Sequence, residues 1–448
     1  MQDKLKLLPH QEEGIIFSKK RASIPILCDM GLGKTALSLG ICKDRGLKKV
    51  LCVVPKSVID NWLKDIKKFT EFSCAVALGN REKRIANILA PVEIILINFE
   101  GVRILEKELE KLASQKYFDG LIIDELARVR RYSKQTQALQ KIAKYFPTRI
   151  GLSGLLIAES LMDAFNPFKI LDLGQCFGTD FFLFREKYFV QDSSEGEYAK
   201  YVATEYGKKV ITSLIKSNSY IKTAEQVGLL PATSFVTRKV VLSEQQLDFL
   251  KTLQEEWRSS YPKLDIEAQY NYTIQIIQKS LQCISGFNYL DNKEVYWFDY
   301  NPKAQELNAL VEELGSSPFL VWCNYKAEKA LVEKMLVSLG KKVCPSDEPS
   351  KFDDSNYDCF IGTYSKDSQG HNFKRAKTAI LFSRPNSYEK YYQALGRNRR
   401  QTSEYNLISY QIITSKYPTE YLNDLALKKK QDLAGLLRTM DLKDIWQK

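Results

Sequence analysis

The run Asp29-Met30-Gly31-Leu32-Gly33-Lys34-Thr35 follows the apolar stretch IPILC and precedes a stretch with helical periodicity. Residues of these types in that order suit a phosphate. Glycines let backbone N–H groups approach β- and γ-phosphate oxygens, and a helix N-terminus adds partial positive charge. In such a loop Lys34 neutralises phosphate charge and the Thr35 hydroxyl ligates Mg2+. Met30, Gly31, Leu32, Gly33, Lys34 and Thr35 are therefore the candidate nucleotide cradle. The strict G-x-x-x-x-G-K-T pattern fails, because Cys28 stands where its first glycine would be. The strand before and the helix after carry the reading. The matching half of such a site is an acidic pair closing a neighbouring strand, and Leu121-Ile122-Ile123-Asp124-Glu125 offers one. Asp124 would hold Mg2+ through water and Glu125 would polarise an attacking water. Taken alone, the pair also fits a strand end that caps the next helix.

Those residues need a scaffold. In the first third, IPILCDM, KKVLCVVP, VEIILINF, FDGLIIDE and TRIGLSG are short β-branched runs, and ALSLGICKDRG and SVIDNWLKDIKKF between them have helical periodicity. Such alternation predicts a parallel sheet covered on both faces. Between about residues 160 and 300 the strand signal fades into aromatic-rich helical text such as DFFLFREKYF and SEQQLDFLKTLQEEW, which predicts a helical insertion rather than a third sheet domain. Alternation returns in SPFLVWCN, YDCFIGTY, KTAILFS and NLISYQII, with a helix over KAEKALVEKMLVSLG and a charged helix over LNDLALKKKQDLAGLLRTM. The expected fold class is α/β with two sheet domains.

Length and composition agree. The chain has 448 residues, enough for about three domain-sized units. With 44% hydrophobic and 27% charged residues it has apolar material for several cores, which excludes a disordered chain. No apolar run approaches the ~18 residues of a membrane span, and the opening MQDKLKLLPHQEEG has no apolar core, so neither membrane insertion nor secretion is expected. The nine cysteines include no C-x-x-C pair and only two histidines accompany them, so they read as buried free thiols of a reducing compartment rather than a zinc site. A net charge of +12 fits a solvated surface or a polyanion partner, and charge alone does not decide between them.

With both halves of the phosphate site in hand, the chain resembles a superfamily 2 helicase-like ATPase of the Swi/Snf type, in a compact form of viral or mobile-element character. LLPHQEEGI resembles that family's adenine-recognition segment, with Gln11 as the adenine reader. DMGLGKT is close to its phosphate loop, and VVPKSVIDNWLKDIKKF resembles its next motif, in which Pro55 ends a strand and Trp62 follows on a helix. FNPFKILDLGQCFGTDFFLFREKYF and LLPATSFVTRKVVLSEQQLDFL are similar to its helical protrusions. Gly362-Thr363-Tyr364 with Ser368-Gln369-Gly370-His371-Asn372 resembles the motif that touches nucleic acid and the ATP cleft, so Ser368, Gln369 and Asn372 are expected nucleic-acid contacts. QALGRNRRQ matches the final motif, whose two arginines, Arg397 and Arg400 by spacing, reach across the domain cleft, Arg400 being the better arginine finger.

The resemblance implies two RecA-like parallel-sheet motor domains with a helical insertion between them: 1–160, 161–300 for protrusions and linker, and 301–448. It also implies ATP and Mg2+ as cofactors, and translocation on duplex or forked DNA without sequence preference, driven by closure of the two motor domains. A monomer is expected, with a recruiting protein as a further partner. The expected location is the cytoplasm of a prokaryotic or phage-infected cell, or a eukaryotic nucleus. Arg130, Arg131, Lys374 and Arg375 fit DNA-backbone contacts, while each taken singly reads as a solvated charge. The five aromatic residues Phe181, Phe182, Phe184, Tyr188 and Phe189 are expected to pack among helices rather than stack on bases.

Several positions depart from the family pattern. Leu126 and Ala127 stand where a small residue and His are usual, Leu155-Leu156 where Thr-Pro is usual, and Glu159 where Asn is usual. In the family these groups link the γ-phosphate to domain movement. The alternative reading is therefore a hydrolysis-impaired, helicase-like DNA clamp or scaffold.

Overall fold

In the computed structural model, the described residues are 7–191, 201–228, 233–292, 294–354, 356–367, 373–399, 407–414 and 428. The chain divides into two compact units, over residues 1–229 and 230–429.

The first unit is built on a parallel sheet. Its strands are β1 (Ser23–Cys28), β2 (Val50–Val54), β3 (Cys74–Ala77), β4 (Ile94–Asn98), β5 (Gly120–Asp124) and β6 (Thr148–Leu152). A short antiparallel pair, β7 (Phe189–Gln191) and β8 (Tyr201–Ala203), stands apart, and β9 (Tyr220–Lys222) closes the sheet in the order β3-β4-β2-β5-β6-β1-β9. Val50–Val54 and Ile94–Asn98 are buried along their whole length, as strands covered on both faces must be. The helices that matter for chemistry are α1 (Pro9–Ser18), α2 (Lys34–Asp44) and α3 (Ile59–Phe69). One core runs from Leu51 and Ile95 through Leu121 and Ile123 to Phe165, Phe168 and Ile211.

The second unit holds a six-stranded sheet. It comprises β10 (Thr233–Val240), β13 (Phe319–Cys323), β14 (Val343–Cys344), β15 (Cys359–Thr363), β16 (Thr378–Leu381) and β17 (Leu407–Thr414), ordered β10-β17-β16-β13-β15-β14 with every neighbour parallel. A hairpin of β11 (Phe287–Tyr289) and β12 (Val295–Trp297) follows two long helices, Glu244–Ser260 and Ile266–Ile284.

All nine runs that the β-branched pattern marks as strands are strands, and the two parallel sheets are the expected α/β architecture. The interval 161–300 is mainly helical. It also gives each sheet an edge strand, β9 and β10, because pairing to a formed sheet stabilises residues whose own pattern is weak. The nine cysteines are free thiols, seven of them buried. Among the described residues no helix is long and apolar enough to cross a membrane. The charged helix expected over LNDLALKKKQDLAGLLRTM lies outside the described residues apart from Lys428, which is exposed.

Candidate nucleotide site

The loop of residues 29–33 joins β1 to α2. Gly31 and Gly33 take φ values of 86° and 69°, in the left-handed region that glycine enters without penalty. Gly33 is doubly required, since a Cβ there would lie 2.4 Å from Gln11 Nε2. That contact exists because α1 clasps the loop. Gln11 Nε2 donates to the carbonyls of Leu32 and Gly33 at 3.3 Å each, its Oε1 accepts from Leu8 N at 3.0 Å, and His10 Nε2 lies 2.9 Å from Leu32 O. On the far side Asp29 accepts from Ala224 N at 2.9 Å, beside edge strand β9. The loop is thus held from both flanks. The first N–H groups of α2 have no acceptor within the helix, which is the arrangement an anion needs.

Lys34 Nζ donates to the carbonyls of Cys28 (2.9 Å) and Asp29 (3.2 Å). Burial pushes its pKa down, against an upward pull that includes the Glu125, Asp124 and Asp29 carboxylates. The ammonium therefore lies within electrostatic reach of the acidic pair, as charge neutralisation at one site requires. Thr35 follows in the first turn of α2.

Asp124 closes β5, next to β2 and β6 in the sheet. Its Oδ2 accepts from the indole N–H of Trp62 at 2.8 Å. Trp62 is almost wholly buried on α3, so the donor is fixed and the carboxylate with it. Burial raises the Asp124 pKa, and the Trp62 hydrogen bond and Lys34 oppose that rise. Glu125 adopts φ 66° and ψ 69°. A non-glycine residue in this region is strained by about 1–3 kcal/mol, and strain of this kind collects at functional turns. The turn ends the strand abruptly and starts a short 3-10 helix, Leu126–Val129. One turn beyond Trp62, burial lifts the Asp65 carboxyl to about 6, with Lys68 opposing and Asp124 adding to the rise. Trp62 and Asp65, three positions apart, share one face of α3. That Trp62 reaches Asp124 is decided by the pairing of β2 with β5 and not by local spacing.

Four of the five departures from the family pattern are packing residues here. Leu126, Ala127, Leu155 and Leu156 are all buried, and Leu126 and Leu156 join the main core. Gly151 faces Leu126 and Leu171 so closely that a Cβ would lie 2.8 and 2.6 Å from their methyls. Glu159 pairs with Arg131 at 2.8 Å and lies 4.0 Å from Arg130.

In the second unit Arg397 is buried, and its Nε donates to Gln393 O at 3.0 Å. Arg400, Ser368, Gln369 and Asn372 lie outside the described residues. Arg375 is turned inward, its guanidinium donating to the carbonyls of Phe352 (2.8 Å) and Tyr357 (3.3 Å). Of the five aromatics expected to pack, Phe184, Tyr188 and Phe189 are buried and Phe181 packs against the same core, whereas Phe182 is exposed.

A parallel sheet whose first strand runs through a glycine loop into a helix, with a carboxylate pair closing a strand two places away, is the frame of a phosphate-loop nucleotide-binding protein. The chain belongs to the SNF2-related domain family, whose pattern matches residues 10–288. It is similar to the DNA repair and recombination protein RAD54B of Homo sapiens, 28% identical over 36% of this chain and 19% of that protein. It is also similar to the ISWI chromatin-remodeling complex ATPase ISW2 of Saccharomyces cerevisiae, 29% identical over 42% of this chain and 18% of that one. The chain thus spans about a fifth of the length of these relatives. Putative protein p41 of Acyrthosiphon pisum secondary endosymbiont phage 1 is 23% identical over 70% of both chains. The solved Sulfolobus solfataricus SWI2/SNF2 ATPase core in complex with dsDNA aligns with 99% of this chain and 96% of its own, at 17% identity and a TM-score of 0.45.

Proposed function

We propose that this chain is a DNA-dependent ATPase that translocates on duplex or forked DNA, with ATP-driven closure of its two sheet units as the power stroke. The observation that carries the reading is the convergence of Lys34, the glycine loop and the Trp62-held Asp124 in one unit. The related RAD54B and ISW2 proteins, named for DNA repair and recombination and for chromatin remodelling, support DNA as the partner.

The residues divide the work. Backbone N–H groups at the start of α2 and Lys34 bind the β- and γ-phosphates. Thr35 and Asp124 would hold Mg2+, which when bound neutralises the triphosphate, and the Trp62 indole keeps Asp124 oriented. Glu125, set by its strained turn, takes the proton of the attacking water. Arg397 and Arg400 are proposed to stabilise charge on the transferred phosphoryl, worth ~10³–10⁵ in rate where such arginines act. Ser368, Gln369 and Asn372 are proposed to contact the sugar-phosphate backbone. Contacts of that kind make binding sequence-blind and salt-sensitive.

The test is phosphate release with no polymer, single strands, duplex, a forked junction and RNA, with Lys34→Ala and Arg400→Ala beside the parent. Stimulation by duplex or fork that both substitutions abolish is expected. Equal rates with every polymer would refute the motor. The buried apolar side chains of Ala127, Leu155 and Leu156 favour a second reading, a clamp that binds DNA without turnover. Duplex binding with no phosphate release in the same assay would select it.

A further inference from the structure

In open parallel sheets ligands bind beyond the carboxyl ends of the strands, where the strand order reverses. In the second unit that point lies around β13, which pairs with β15 on one side and β16 on the other. Three loops leave the sheet there: Asn324–Tyr325 after β13, Tyr364–Asp367 after β15 and Ser383 after β16.

Two carboxylates bind these loops together. Glu328, in the first turn of the helix Lys326–Ser338, is fully buried. Its Oε2 accepts from Asn324 N (2.7 Å), Tyr325 N (3.0 Å) and Ser383 Oγ (2.7 Å). Ser383 Oγ also accepts from Asn324 N at 2.9 Å, and Ser383 O accepts from the Tyr364 hydroxyl at 2.9 Å. A single carboxylate oxygen therefore fixes the β13 and β16 loops against each other, with the β15 loop leaning on the second. Asp367 is nearly as buried, and its Oδ2 accepts from Thr363 N (2.7 Å) and Thr363 Oγ1 (3.1 Å). Lys329, the neighbour of Glu328, brings its Nζ to 3.8 Å from that Oδ2. Consecutive residues of one helix thus reach all three loops. Asp367 directly precedes Ser368-Gln369.

Packing does not require this. A buried carboxylate is costly unless paired and hydrogen-bonded, and an apolar side chain of similar volume often replaces one without loss of stability. What an apolar residue cannot do is hold three donors from two loops in one geometry.

We infer that Glu328 and Asp367 are positioning residues that set the three carboxyl-edge loops of the second unit for contact with DNA phosphodiesters, acting on polymer grip and not on nucleotide binding. The inference rests on the proposed DNA-dependent activity. The full chain is compared with Glu328→Gln and Asp367→Asn in three measurements: anisotropy with a fluorescent duplex of arbitrary sequence, binding of a fluorescent ATP analogue, and phosphate release against duplex concentration. In both variants duplex affinity is expected to fall about tenfold, equivalent to ~1.4 kcal/mol. The duplex concentration for half-maximal turnover should rise by the same factor, while turnover at saturating duplex and nucleotide affinity hold within about twofold. Parental duplex affinity in both variants overturns the inference. So does a loss of duplex affinity matched by equal losses of nucleotide affinity and melting temperature in both, which marks general unfolding. A parent chain that neither binds duplex nor is stimulated by it overturns the DNA-dependent reading itself, whatever the variants do.

Discussion

Trp62→Phe removes one N–H from the proposed nucleotide site and leaves an aromatic ring in the core. The indole donates at 2.8 Å to a carboxylate that burial already disfavours in its charged form. A hydrogen bond to a charged group contributes about 1.5–3 kcal/mol net. At ~1.4 kcal/mol per factor of ten, losing it should reduce kcat/KM for Mg2+–ATP by roughly 10- to 150-fold. The loss has a signature. Without the donor Asp124 is freer to rotate and harder to ionise, so the Mg2+ concentration for half-maximal turnover should rise. Binding of a fluorescent nucleotide without Mg2+ should stay near parental, because Lys34 and the glycine loop are untouched. The decisive assay is phosphate release titrated with Mg2+ at saturating ATP and duplex, with a thermal melt to establish folding. A folded Trp62→Phe protein with parental Mg2+ dependence and turnover would refute the role given to the indole.

Gly33→Ala should abolish nucleotide binding in a folded chain, since φ 69° and the 2.4 Å approach to Gln11 Nε2 both oppose a Cβ; parental affinity for a fluorescent ATP analogue would contradict it. Asp65, lifted from 3.8 to about 6, makes the folded chain bind more protons than the unfolded one between those values, so its contribution to stability falls as pH rises from about 4 to 6. Asp65→Asn should therefore stabilise the chain above pH 6, by up to about 3 kcal/mol, and not below pH 4; melts of parent and variant across that range check the sign. Restoring the family's Thr-Pro at 155–156 should cost about 2–5 kcal/mol, because both leucines are buried and Leu156 belongs to the main core; an unchanged melting temperature would show that they are not packing residues.

Much of this was legible in the chain itself, for a physical reason. A strand buried on both faces must be apolar throughout, so VLCVV, IILIN and FLVWC announce themselves, and a phosphate loop is local, its strand, glycines, lysine and helix lying within a few residues. Short edge strands were not legible. Cys74–Ala77, Tyr220–Lys222 and Val343–Cys344 are extended because a neighbouring strand offers a ladder, and nothing in their own pattern says so.

The acidic pair shows where sequence stops. That Asp124-Glu125 closes a strand follows from the residues. That Trp62, sixty-two positions earlier, supplies the donor to Asp124 follows only from β2 and β5 lying side by side, which brings the helix after one strand over the end of the other. Gln11 reaches Leu32 and Gly33 for a similar reason, through the packing of α1 on α2. The unusual Leu126, Leu155 and Leu156 were visible as departures, but their consequence was not: only the packed structure makes them core. Residue type and local spacing decided which chemistry this chain can support. The order of strands decided which distant side chains hold it in place, because pairing and packing join residues that the sequence leaves apart.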